Sequence, residues 1–87
     1  MPLYFFDRTE NGEFFRGEDS MEFSSIRVAR HDALRALTET IRDELDDDTG
    51  EREFTIHIRD RHRQPILSVS LIIRVKSDIE QSAARVH

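Results

Sequence analysis

The sequence predicts an α+β domain: a two-layer ββαββ arrangement, with a four-stranded sheet of two hairpins and one long helix packed on one face. Three observations predict it. Asn11-Gly12 separates two short aromatic runs. A stripe of apolar residues with helical period starts at Ile26. Two alternating segments, "EREFTIHIRD" and "QPILSVSLIIRVK", follow the helix. Eighty-seven residues make one domain at most, and residues 1–76 hold all of these signals. Residues 77–87 read as a C-terminal tail, a frayed helix or disordered.

The first hairpin comes from its turn. Asn-Gly tolerates the positive φ angles of a two-residue type I′ turn, whose twist matches paired strands. Strands then run at about Leu3–Arg8 and Glu13–Arg16, with Thr9 opposite Phe14 and Arg8 opposite Phe15. Face one carries Tyr4, Phe6, Arg8 and Phe15. Face two carries Leu3, Phe5, Asp7 and Phe14. Neighbouring strand residues point to opposite faces, so one ring of each couple, Phe5-Phe6 and Phe14-Phe15, faces away from the core.

The polar run "GEDSMEFSS" connects this hairpin to the helix. Ser24 or Ser25 suits the N-cap, since a serine hydroxyl accepts from a helical N–H that lacks a partner. Ile26, Ala29, Ala33, Leu34, Leu37, Ile41 and Leu45 fall on one stripe, which is the face expected against the sheet. The helix is expected to stop near Asp46. Three aspartates, Asp46 to Asp48, oppose the macrodipole there and favour fraying. Gly50 suits a left-handed loop position.

In the last two strands Phe54, Ile56 and Ile58 alternate with Thr55, His57 and Arg59. Leu67, Val69, Leu71, Ile73 and Val75 alternate with Ile66, Ser68, Ser70, Ile72 and Arg74. Each has one apolar face. Pro65 is tolerated at a strand start. The second and third strands should run parallel, joined by a right-handed crossover. The spatial order 2-1-4-3 is expected, with the two most apolar strands central.

The stretches "MPLYFFDR", "RGEDSMEF", "ARHDALRALTETIRDEL" and "RQPILSVSL", in that order, resemble a family of short alphaproteobacterial proteins, often rhizobial, known only as a domain of unknown function. The resemblance spans roughly residues 2–75. Members tend to have an apolar residue where this chain has Arg8. That implies that the face with Tyr4, Phe6 and Phe15 is the core face. Many have glycine near Arg63, where this chain departs. The resemblance supports the fold and implies no activity, cofactor or catalytic residue.

The residues themselves point to no chemistry. His31, His57, His62 and His87 show no HExxH spacing. A site built from His57, His62 and Asp60 is conceivable, but solvated surface histidines are the ordinary case. Asp46 to Asp48 lack the spacing of a calcium loop. No nucleophile elbow or phosphate-cradling glycine loop occurs. Neither catalysis nor a cofactor or metal is expected. The formal charge of −5 disfavours general nucleic-acid binding. The basic turn Arg59, Arg61, His62 and Arg63 is the concentrated exception: a solvated, edge-protecting turn, or a contact for an acidic partner or phosphate. The sequence shows no signal peptide, no apolar run long enough for a membrane and no cysteine. A soluble cytoplasmic protein is expected.

What remains is the open face of the sheet, with Leu3, Phe5, Phe14, Ile66 and Ile72 accompanied by Thr55, His57, Ser68 and Ser70. A contiguous exposed apolar patch marks an interface. Three readings compete. The tail from Ser77, or the loop around Met21 and Phe23, covers this face in a plain monomer. The face docks another protein or a second copy, as a homodimer or a small regulatory module. Phe5 and Phe14 stack on single-stranded RNA with help from the basic turn.

Overall fold

The computed structural model describes residues 1–44 and 50–74. The expected helix end at Asp46, the Asp46–Asp48 run, Leu45, Val75 and the tail from Ser77 lie outside the described residues. Among the described residues the chain is an α+β domain with one helix and an antiparallel sheet. Its elements are β1 (Leu3–Glu10), β2 (Glu13–Phe15), β3 (Met21–Glu22), α1 (Ile26–Glu44), β4 (Glu51–Asp60) and β5 (Pro65–Arg74).

The first turn takes the expected form. Asn11 and Gly12 both have positive φ, 51° and 88°, and the ladder sets Thr9 opposite Phe14 and Arg8 opposite Phe15. The Asn11 side chain ties the turn to β4. Its Oδ1 accepts from the Glu53 N–H at 3.0 Å, and the Asn11 backbone N–H donates to the Glu53 carbonyl at 2.8 Å.

Among the described residues the sheet has five strands rather than the expected four. After Phe15 the chain bulges out of the ladder and returns as β3, pairing Leu3 with Glu22 and Tyr4 with Met21. The chain passes close to β1 at Gly17. A Cβ there would sit 1.8 Å from the Phe6 carbonyl oxygen, so only glycine lets the chain cross at this point.

The strand order is β2-β1-β4-β5, which corrects the expected order 2-1-4-3, in which the last strand, β5, would stand beside β1. The most apolar strand, β5, stands at the edge, and β4 stands beside β1. β4 takes the centre because both of its faces are provided for. Phe54, Ile56 and Ile58 are buried towards the helix, while Thr55 and Arg59 are buried against polar partners on the other face. β2 and β4 are both antiparallel to β1 and therefore share a direction.

Ser25 caps the helix, its Oγ accepting from the Val28 N–H at 3.3 Å. Ala29, Ala33 and Leu37 are buried on β4 and β5, with Ile26 and Ala36 packed beside them. Leu34 is 45% exposed, which corrects its place on the core stripe. With alanines at 29 and 33 the buried strip runs through Ala29, Ala33, Ala36 and Leu37, and Leu34 falls outside it. Phe23 belongs to the core and does not fold over the open face. It stacks on Phe6, with ring centroids 5.7 Å apart and planes 11° apart, and leans on Tyr4. Phe23 therefore shields the Tyr4–Phe6 end of β1 on the helix side.

Candidate interaction face

The face opposite the helix is built by alternation. β1 presents Leu3, Phe5, Asp7 and Thr9; β4 presents Thr55, His57 and Arg59; β5 presents Ser68, Ser70 and Ile72; Phe14 joins from β2. Ile66 enters through an irregularity in the β4–β5 ladder, between the pairs Ile58–Leu67 and Arg59–Pro65.

At its centre is an ion pair. Arg59 Nε donates to Asp7 Oδ2 at 2.6 Å, and Nη2 donates to Oδ1 at 2.9 Å. Nη2 also reaches the Gly17 carbonyl at 3.1 Å, and the Gly17 N–H donates to Asp7 Oδ1 at 2.8 Å. The bulge and the ion pair are thus one structure: the strand leaves the ladder at Gly17 so that its backbone can serve both charges. Burial raises the Asp7 pKa. The Arg59 hydrogen bonds, the Gly17 N–H and the charges of Arg59 and Arg16 outweigh burial, and the net shift is downward from 3.8.

Two further polar pairs lie on this face. Thr9 Oγ1 and His57 Nε2 lie 2.9 Å apart, and the Thr55 and Ser70 hydroxyls 2.8 Å apart. Among the described residues no buried side-chain nitrogen or oxygen lacks a hydrogen-bond partner. Phe14 tilts against the His57 ring at 6.2 Å. Asp7, Phe14, Arg16 and Arg59 line a shallow depression.

The structure distributes the expected apolar residues unevenly. Phe14, Ile66 and Ile72 are 58%, 42% and 49% exposed. Leu3 and Phe5 are half-buried. Phe5 lies beneath two guanidinium groups, those of Arg59 and Arg63, 5.2 and 5.3 Å from its ring centroid. Phe14 on β2 and Ile72 on β5 are three strand spacings apart, about 14 Å. The patch is therefore not contiguous. Two apolar margins flank a polar stripe.

Arg59 is corrected from the basic turn. It lies inside β4, buried, with its charge met by Asp7. Arg61, His62 and Arg63 do form an exposed turn. Asp60 organises that turn by accepting from the backbone N–H groups of His62 and Gln64 at 2.8 and 2.9 Å. These hydrogen bonds, led by the one from Gln64, hold its pKa below 3.8. Asp60, His57 and His62 do not converge. Among the described residues no three histidines or carboxylates could hold a metal ion.

Sequence reading missed Asp7 and Gly17. The signal for Asp7 was an acid on an inner strand, in register to meet an arginine once β1 and β4 are neighbours. Gly17 carried no signal apart from being a glycine in a polar run.

The fold and this face define a small two-layer α+β domain with one sheet face left free of its helix. Residues 3–72 match the model of the family described as a domain of unknown function (DUF6894), and the chain belongs to that family. No curated protein and no solved structure matches it. No helix among the described residues is long and apolar enough to cross a membrane.

Proposed function

We propose that the protein is a small, non-catalytic cytoplasmic interaction module that docks an apolar, acidic segment of another protein on its open sheet face. One observation carries this reading. The polar groups at the centre of the face satisfy one another, while Phe14, Ile66 and Ile72 stand exposed around them. Covering a polar group costs free energy chiefly when it loses a partner. Here the partners are already in place, so a docking surface can exclude water from the face without orphaning them. Arg16 beside Phe14 and Arg63 above Phe5 are exposed and add positive charge around the face, which favours an acidic occupant.

Single-stranded RNA is disfavoured as the occupant. Base stacking needs open rings, and the Phe5 ring is covered by Arg59 and Arg63. That leaves Phe14 alone.

A photo-crosslinking side chain at Phe14, compared with one at Val28 on the exposed side of the helix, tests the reading in cells. The Phe14 probe should trap a protein at a segment rich in aspartate or glutamate, and Arg16→Glu should abolish the adduct. The same adducts from both positions, or none from Phe14, would refute it.

A further inference from the structure

We propose that β5 is a self-complementary edge through which two copies of this chain pair, antiparallel, about Val69. Three features carry the inference. First, β5 is the outermost strand, ten residues long, and pairs with β4 alone among the described residues. Its ladder irregularity lies next to the turn, so the stretch from Leu67 to Arg74 is regular. Second, the two edges of the sheet differ. The β2–β3 edge is cut into pieces of three and two residues, broken at Gly17 and studded with Glu13, Arg16, Glu18, Asp19 and Glu22. Those are the devices that keep an edge from pairing. β5 has no charge from Pro65 to Ile73. Arg74 at its end is engaged by Glu51 at 2.8 Å.

Third, the sequence of β5 reads the same in both directions. Ile66-Leu67-Ser68-Val69-Ser70-Leu71-Ile72 is a palindrome. Turned about a two-fold axis at Val69, every residue meets its own kind: Ile66 faces Ile72, Leu67 faces Leu71, Ser68 faces Ser70, and Val69 faces its counterpart.

The backbone directions agree with this register. The N–H and C=O of Glu53 point to β1. Directions alternate along a strand, so Phe54, Ile56 and Ile58 turn theirs towards β5 and engage Leu71, Val69 and Leu67. The groups of Ser68, Ser70 and Ile72 then point outward. These are the residues the two-fold register brings together, giving roughly six to eight new backbone hydrogen bonds. Val69 meets Val69 at a position without hydrogen bonds, where side chains approach closest. Leu67, Val69 and Leu71 are only half-buried in one copy, and pairing would cover their open side. Because the interface is two-fold and the other edge is blunted, association stops at the dimer. The pairing uses the edge rather than the open face and stands whether or not that face docks a partner.

Sedimentation equilibrium of the full chain over a wide concentration range, with three variants, tests this. The wild type should dimerise. Ser68→Lys with Ser70→Lys sets like charges opposite each other and should weaken dimerisation at least about tenfold, the scale of a directly opposed charge pair. Ser68→Lys with Ser70→Glu carries the same loss of hydroxyls but sets opposite charges across the axis, and should restore the dimer. Val69→Cys, the sole cysteine in such a chain, should oxidise to a disulfide-linked dimer, since the Cα spacing of a facing pair is within disulfide reach. A wild type monomeric throughout, a dimer indifferent to the paired lysines, or a dimer that Val69→Cys cannot crosslink would each overturn the proposal. Phe14→Arg should leave the dimer intact; a dimer lost on that change would assign association to the open face instead.

Discussion

Arg59 holds Asp7 with two hydrogen bonds across the β1–β4 ladder, 52 residues apart in sequence, on the side of the sheet away from the helix. Both side chains are nearly inaccessible. A buried pair of this kind adds little over an apolar pair of the same shape, but removing one member strands the other charge. Arg59→Leu should therefore cost about 3–5 kcal/mol in urea unfolding. The double change Asp7→Leu with Arg59→Leu should recover a large part of that loss. If the double variant is less stable than the single, the pair contributes more than charge compensation.

The same pair sets an acid limit. The folded Asp7 pKa lies below 3.8, with burial opposing the shift and the Arg59 and Gly17 hydrogen bonds overcoming it. A group whose folded pKa is depressed stabilises fully above its unfolded pKa and loses that contribution as pH falls through the folded value. The stability advantage of wild type over Asp7→Asn should be flat above about pH 5 and shrink steadily below pH 4. Parallel unfolding curves at several pH values check it. An advantage that grows on acidification would show the sign to be wrong.

Gly17→Ala should be more harmful than an alanine in a polar surface run ordinarily is. The added Cβ meets the Phe6 carbonyl at 1.8 Å, and backbone cannot yield as a flexible side chain does. Relief means moving the bulge, which removes the Gly17 N–H and carbonyl from Asp7 and Arg59. A loss of about 3 kcal/mol or more is expected, the range of steric and buried polar disruption combined. Amide hydrogen exchange should show the loss centred on β1 and β4.

How far the sequence discloses this molecule depends on the range of each interaction. The Asn11-Gly12 turn, the Ser25 cap and the alternation of β4 and β5 are local signals, and they place their elements within a residue or two. Strand order is not local. β5 is the more apolar strand and reads as central, yet it is the edge, because Arg59 on β4 must reach Asp7. Phe23 is invisible as a core residue, since it is a lone ring in a polar run and gains its role from Tyr4 and Phe6 across the β3 pairing. The open face was legible as a set of residues by parity. Its internal hydrogen bonds were not, because each joins two strands whose adjacency had to be known first.

The helix offers a direct comparison of two leucines on one expected stripe. Leu37 is 4% exposed and Leu34 is 45% exposed. Leu37→Ala should cost about 2–4 kcal/mol through lost burial and a cavity against the sheet. Leu34→Glu should change stability by less than about 0.5 kcal/mol, as a surface substitution does. Thermal unfolding of the two variants separates them. Equal losses would mean that the helix sits rotated from this position.

Arg63 is the residue at which the backbone and the side chain ask for different amino acids. Its φ of 66° is left-handed, a conformation that costs a non-glycine residue about 1–2 kcal/mol. Its guanidinium lies over the Phe5 ring at 5.3 Å, which returns about 0.5–1 kcal/mol at a partly exposed site. Arg63→Ala keeps the backbone strain and loses the ring contact, so it should destabilise by roughly the cation–π contribution. Arg63→Gly loses the same contact and relieves the strain, so it should come out near the wild type and about 1 kcal/mol more stable than the alanine variant. Both variants take the Arg63 guanidinium away from Phe5, and the ring resonances should shift equally in the two. If alanine proves as stable as glycine, the turn has changed its backbone geometry, and the Asp60 hydrogen bonds to His62 and Gln64 should be lost from the exchange pattern at the same time.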